Sequence, residues 1–183
     1  EYCKYWEFER QKLDYATDGI VVKLNDVSKQ NELGYTARAP KWATAFKFPP
    51  EEIETELLNI ELSVGKTGAL TPVAILTPVQ LAGTIVKRAS LHNFDEIERL
   101  HINIGDKVVI KKAAEIIPKV IKKANPDSDN GIYPTPTNCP CCNAPLVKPE
   151  GEVVLYCSNP KTCPAQIKGK IEFWCSKDGM DID

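Results

Sequence analysis

Ile53-Glu54-Thr55-Glu56-Leu57-Leu58-Asn59-Ile60-Glu61-Leu62-Ser63-Val64-Gly65-Lys66-Thr67-Gly68 decides the reading of this chain. Apolar and polar residues interleave over 53–64, as on a half-buried strand, and Gly65-Lys66-Thr67-Gly68 then signals a turn. Further β-like runs follow at 70–77, 82–88, 107–112 and 116–122, the last despite Pro118. Gly105-Asp106 is a second turn signal, and one helical piece, Phe94 to Leu100, separates the third run from the fourth.

Five short strands with a helix between the third and the fourth are the layout of an OB-fold barrel, with another small barrel or sandwich as the alternative. The barrel is placed at 51–124 because Pro49-Pro50 punctuates the chain there and its character changes. Upstream, 1–13 mixes Tyr2, Tyr5, Trp6 and Leu13 with charges, as an amphipathic helix does. An apolar run at 18–25, a polar loop or short helix at 29–34 and a strand at 42–48 follow. Downstream, 125–137 holds Pro126, Gly131, Pro134 and Pro136 and reads as a linker, and 167–174 reads as helical.

Two lysines stand out upstream. Lys23 closes Asp18-Gly19-Ile20-Val21-Val22-Lys23, and Lys47 sits in Ala45-Phe46-Lys47-Phe48-Pro49. Each places a cation in a run that otherwise reads as buried strand. Burial of an ammonium is costly unless an anion meets it, so the pair points to a phosphate pocket.

The 183 residues suffice for one ordinary domain or two small ones, and a hydrophobic fraction of 43% is that of a soluble globular protein. No apolar run approaches the roughly 20 residues of a membrane helix. Without an initiator Met or a signal-peptide pattern, the chain is expected to be a fragment of a longer one. The net charge is −2 but unevenly spread. Glu51, Glu52, Glu54, Glu56 and Glu61 make one acidic stretch; Lys107, Lys111, Lys112, Lys119, Lys122 and Lys123 make a basic one. The basic stretch is either a local nucleic-acid surface or a strand edge protected by lysine.

All cysteines but Cys3 lie between 139 and 175, which favours a metal site over a disulfide framework. Cys139-x₂-Cys142 and Cys157-x₅-Cys163 are two pairs that can share one tetrahedral zinc ion. Cys141 competes with Cys142, but an x₂ knuckle closes more easily than x₁. Cys175 and Cys3 read as ordinary thiols, and unligated buried cysteine is the alternative for the cluster. Four protein ligands make such a site structural, and in so small a segment the metal supplies folding energy.

Together these residues resemble the bacterial NAD-dependent DNA ligases. Asp18 to Lys23 resembles the fourth nucleotidyltransferase motif of that family, and Ala39-Pro40-Lys41-Trp42-Ala43 leading to Lys47 resembles the fifth. Val64 to Gly68, Leu91-His92-Asn93 and Glu115-Ile116-Ile117-Pro118 resemble its barrel motifs, and Met180-Asp181-Ile182-Asp183 the opening of its helix-hairpin-helix domain.

The resemblance implies a mostly β, α+β chain. It would run from the C-terminal part of an adenylation domain (1–50) through an OB fold (51–124) and the linker (125–137). A Cys₄ zinc finger (138–165) and the start of a helix-hairpin-helix domain (166–183) would follow. It implies a ligase that seals nicks in duplex DNA through lysyl-AMP and DNA-adenylate, in replication and repair. NAD, structural Zn²⁺ and Mg²⁺ (or Mn²⁺) are the implied cofactors. The implied setting is a monomer in the bacterial cytoplasm, with nicked duplex DNA as partner and no membrane. Lys23 and Lys47 would contact the adenylate, and Asp18 would orient the site or help hold magnesium. Arg10 sits where the family keeps an arginine needed for activity. Lys66, Thr67, Lys112, Ile116 and Ile117 would touch DNA, the two isoleucines as an apolar contact in the minor groove, a core strand being the alternative. Lys66 and Lys112 stand where many members carry arginine, so the charge is kept but the bidentate fork is lost, and Ala114 stands where glycine is usual.

No Lys-x-Asp-Gly occurs here, so the family's nucleophilic lysine is expected upstream, and this chain alone is expected not to form enzyme–AMP. A nucleotidyltransferase of the ATP-dependent or capping kind, and a non-catalytic OB and zinc-ribbon DNA-binding module, are the rival readings.

Overall fold

The computed structural model describes residues 1–15, 17–112, 117–128 and 130–182, in two compact units, Glu1–Pro50 and Glu51–Asp183.

The first unit opens with helix α1 (Tyr2–Glu9), continued by a 3₁₀ turn over Arg10–Lys12. Strand β1 (Gly19–Lys23), helix α2 (Val27–Leu33) and strand β2 (Ala43–Lys47) follow. Asp26 caps α2 by accepting from the amides of Ser28 and Lys29, which is why a helix starts at 27 in a polar stretch. β1 and β2 form an antiparallel ribbon in register from Gly19↔Lys47 to Lys23↔Ala43. Gly19 is required there: a Cβ would run into the carbonyl oxygen of Phe46 and lie 2.9 Å from the Cα of Lys47. Phe48 is buried and holds the end of the ribbon, its amide donating to the Asp18 carbonyl at 2.9 Å.

The second unit is built on β3 (Glu51–Val64), β4 (Ala69–Leu81), β5 (Thr84–Ser90), β6 (Lys107–Lys112) and β7 (Lys119–Lys123), with helix α3 (Phe94–Leu100) between β5 and β6. β3 pairs with both β4 and β6, β6 with β7, β7 in parallel with β5, and β5 with β4, so the sheet closes on itself. That connectivity is the OB barrel. β3 turns inward at Ile53, Thr55 and Leu57, then at Ile60, Leu62 and Val64; a bulge between Leu57 and Asn59 switches the phase and bends the strand. The core gathers Leu57, Ile60, Leu70, Leu76, Val108 and Ile110 with Phe94, Ile97 and Leu100, the inward stripe of α3. Asn93 caps α3 by accepting from the Glu96 amide at 2.8 Å.

The expected strand 116–122 begins at Lys119 instead, past Pro118, which has no amide to give a ladder. Ala113, Ala114, Glu115 and Ile116 lie outside the described residues.

The stretch read as a linker is pinned to the barrel over its first half. Asp106, fully buried, accepts from the Asn103 amide (2.8 Å), Asn130 Nδ2 (2.7 Å), Ser128 Oγ (2.9 Å) and Lys123 Nζ (3.0 Å). Asn125 receives the Lys107 amide, and the Tyr133 amide donates to Ile102. Polar residues that look like linker in sequence are here the partners a buried carboxylate needs.

The finger hairpin, β8 (Leu146–Val147) and β9 (Leu155–Cys157), adds to the barrel edge, β9 pairing antiparallel with β4 at Ala69↔Tyr156 and Leu70↔Leu155. Helix α4 (Pro164–Cys175) follows, with Cys163 as its N-cap and Pro164 in its first turn. Among the described residues no helix is long and apolar enough to cross a membrane.

Candidate functional site

Four cysteines converge in the finger. Cys139, Cys142, Cys157 and Cys163 place their sulfurs within 4.8 Å of one another, three of them buried. The first pair is formed by a tight turn in which the Asn143 amide donates to the Cys139 carbonyl (2.9 Å) and Asn143 adopts φ 58°. The second pair closes across five residues because the Asn159 carboxamide binds Thr162, turning the chain back before Cys163 caps the helix. Cys141 is exposed and outside the cluster.

The donor set fits zinc. Zn–S bonds of about 2.3 Å put tetrahedral sulfurs about 3.8 Å apart, and Cys142 Sγ lies 3.5 Å from Cys157 Sγ. Burial pushes the Cys157 thiol up to about 12, although the Asn159 amide works against it. Thiolates so placed need a shared cation, and zinc ligation supplies one.

In the first unit, Lys23 and Lys47 differ from the expectation. Both are exposed, as are Val21, Val22, Thr44, Ala45 and Phe46. Among the described residues the ribbon has only two strands, so no further strand buries these side chains. The lysines nonetheless share a face. Residues two apart on a strand, and residues directly opposite across the ladder, point the same way. Lys23, Val21 and Gly19 therefore stand with Ala43, Ala45 and Lys47. Lys23 and Lys47 sit at opposite ends of a floor of small side chains, four residues apart in register, with their backbones separated by about 14 Å at roughly 3.4 Å per residue. Asp18 is exposed at the Lys47 end. Arg10 stacks its guanidinium 4.8 Å over the Phe48 ring and donates to the Thr17 carbonyl at 2.9 Å, tying the helical entry to the strand that carries Lys47.

The basic stretch also departs from its sequence appearance. Lys112, Lys111 and Lys107 on β6 lie directly opposite Glu51, Glu52 and Glu56 on β3, and Lys112 Nζ donates to Thr84 Oγ1 at 2.8 Å. Two runs of opposite sign, far apart in sequence, stand opposite each other across one ladder. Lys123 is buried against Asp106. Lys66 and Thr67 are exposed at the β3–β4 turn, Lys66 with its ammonium 3.0 Å from the centre of the Phe173 ring. Ile117 is 62% exposed, so it is a surface residue, not core; Ile116 lies outside the described residues. Sequence reasoning missed Gln166, a fully buried polar side chain on α4.

Family models match the chain in three consecutive blocks. The NAD-dependent DNA ligase adenylation domain matches 1–51, the OB-fold domain of the same ligases 54–131, and their C4 zinc finger domain 138–165. The chain belongs to the NAD-dependent DNA ligase family. It is 50% identical to a DNA ligase of Cytophaga hutchinsonii over 185 residues, 100% of this chain and 28% of that protein. To a DNA ligase of Chlorobium chlorochromatii it is 51% identical, covering 97% of this chain and 27% of that protein. To one of Macrococcus caseolyticus it is 54% identical, covering 100% and 28%. The chain thus spans a little over a quarter of the length of the curated relatives it matches. The ligase OB-fold match runs to residue 131, past Ser128 and Asn130 that satisfy Asp106. The C4 finger match encloses all four converging cysteines.

Proposed function

We propose that this chain works as part of an NAD-dependent DNA ligase that seals nicks in duplex DNA, in replication and repair, as a monomer in the bacterial cytoplasm. In that chemistry a lysine takes AMP from NAD and releases nicotinamide mononucleotide, AMP then passes to the 5′-phosphate of the nick, and the 3′-hydroxyl displaces it. Residues 1–50 belong to the adenylation domain, 51–124 to the barrel, 138–165 to the finger, and 166–183 begin a helix-hairpin-helix domain.

The single observation that carries the reading is the common face of the β1–β2 ribbon. Two lysines stand in register at the ends of a floor of Gly19, Val21, Ala43 and Ala45, across which a nucleotide would lie. From its ends, Lys23 and Lys47 offset negative charge on the transferring phosphate. Asp18, next to Lys47 in register, offers a hard oxygen ligand to magnesium. Arg10 acts through Phe48, holding the strand that carries Lys47.

On the barrel, Lys66 and Thr67 are the exposed phosphate contacts, and Ile117 is the exposed apolar contact to the minor groove, with Ile116 beside it in sequence. Lys112 adds less, because its ammonium already donates to Thr84 and Glu51 stands opposite it in register.

The test uses a ligase that carries this chain. Lys23→Ala and Lys47→Ala each lower sealing of a nicked duplex by about 10²–10³, the usual loss for one group aimed at developing charge, with duplex affinity within twofold. Equal losses of sealing and affinity would instead favour a DNA-binding module without chemistry.

A further inference from the structure

The Gly65–Gly68 turn belongs to the barrel, but its surroundings belong to the finger. The Gly68 carbonyl accepts from the Cys157 amide at 2.9 Å, so a cluster cysteine bonds the turn directly. Gly68 has φ +89°, and a Cβ there would stand 3.0 Å from Gln166 Nε2 and 3.1 Å from the Cys157 carbonyl oxygen. Gln166 is 1% exposed and donates to the carbonyls of Cys157 and Asn159, both at 3.3 Å. One turn further along α4, Gly169 lies so close to Lys66 that a Cβ would reach its Cα at 3.1 Å. At the next turn the Phe173 ring carries the Lys66 ammonium.

These contacts start from the cluster. Cys157 ends β9 and Cys163 caps α4, so a metal shared by both sulfurs fixes the strand and the helix together. A segment as small as the finger has little else to hold it. Gln166 bridges the two arms: its carboxamide links the cysteine loop to the helix while its flank closes on Gly68.

We propose that Gln166 is a positioning residue through which the four-cysteine centre sets the Gly65–Gly68 turn, so that metal occupancy governs how Lys66 and Thr67 are presented. The consequence for DNA rests on the function proposed above; the coupling itself does not.

Amide exchange on the full chain tests the coupling without DNA. Chelation of zinc speeds exchange at 65–70 at least about tenfold, the scale of one lost buried hydrogen bond, with Val108–Ile110 on β6 changed less than about threefold. Gln166→Leu, which takes the carboxamide donor from the buried Cys157 carbonyl and from the Asn159 carbonyl, does the same at an unchanged zinc content. Protection at 65–70 that is indifferent to zinc overturns the proposal. So does loss spread evenly through the barrel, or a Gln166→Leu chain that sheds its zinc. Should Gln166→Leu fail to fold, chelation of the unaltered chain decides. In the DNA arm, Lys66→Met lowers the salt slope of duplex affinity by about 0.9 when zinc is bound and by nothing when it is removed. Zinc-dependent protection without any duplex binding upholds the coupling and sinks the reading of the barrel as a DNA surface.

Discussion

Lys123→Met should loosen the barrel from one buried pair. Asp106 is fully buried and Lys123 only 10% exposed, their charged atoms 3.0 Å apart. Lys123 also donates to the carbonyls of His101 (3.2 Å) and Ser128 (2.8 Å). Removal of one partner from a buried pair costs about 3–5 kcal/mol. Asp106 keeps three neutral donors, from Asn103, Ser128 and Asn130, so the low end applies, about 3 kcal/mol. At 1.36 kcal/mol per decade that is a loss of about a hundredfold in amide protection at Val108–Ile110 on the neighbouring strand. Burial pushes the Asp106 carboxyl up, but the Asn103 amide, Lys123, Ser128 and Asn130 together hold it below the ordinary carboxylate range. A carboxylate with a lowered folded pKa stabilises above its unfolded value and loses that contribution as pH falls through the folded value. Acid should therefore weaken the unaltered barrel below about pH 4, and weaken Lys123→Met less. Protection within threefold of the unaltered chain, or an unchanged acid response, would refute the reasoning.

The chain purified without chelator should carry one zinc. Cys157→Ser or Cys139→Ser should lose it while Cys141→Ser keeps it, as metal analysis will show; zinc retained in all three would remove the Cys₄ centre. Gly19→Ala should destabilise the β1–β2 ribbon by about 1–3 kcal/mol, since its Cβ meets the Phe46 carbonyl, and exchange at Val21 and Ala45 should rise accordingly. Duplex affinity should fall with salt, and Lys66→Met should flatten that dependence more than Lys112→Met, since Lys112 stands opposite Glu51 and already donates to Thr84. Equal flattening would show that the cross-strand glutamate leaves Lys112 available to phosphates.

Much of the barrel was legible because periodicity and caps are local. Phe94–Leu100 and Lys107–Lys112 begin and end where the sequence pattern puts them. β3 and β4 extend beyond their sequence readings, and the bulges that switch their alternation are set by pairing with neighbours rather than by local pattern. The four cysteines could be chosen from spacing and turn chemistry. What sequence could not show is non-local. Glu51–Glu56 and Lys107–Lys112 read as two patches and are one ladder. Ser128 and Asn130 read as linker because the carboxylate they serve is 22 or more positions away. Gln166 carries no apolar signal, and its burial follows from Gly68 and Cys157 meeting it in space. The lysines of the ribbon looked buried because their neighbours are apolar, yet apolar neighbours bury a side chain only when something covers the strand.

The most direct measurement is chemical. A mixed anhydride of AMP with a small acyl group delivers the acyl group to a lysine amine at the phosphate site and releases AMP. Applied to a ligase that carries this chain, it should acylate the peptides bearing Lys23 and Lys47, and excess NAD should block both. Labelling of neither lysine, or labelling that NAD leaves untouched, would contradict a nucleotide lying across the ribbon between them.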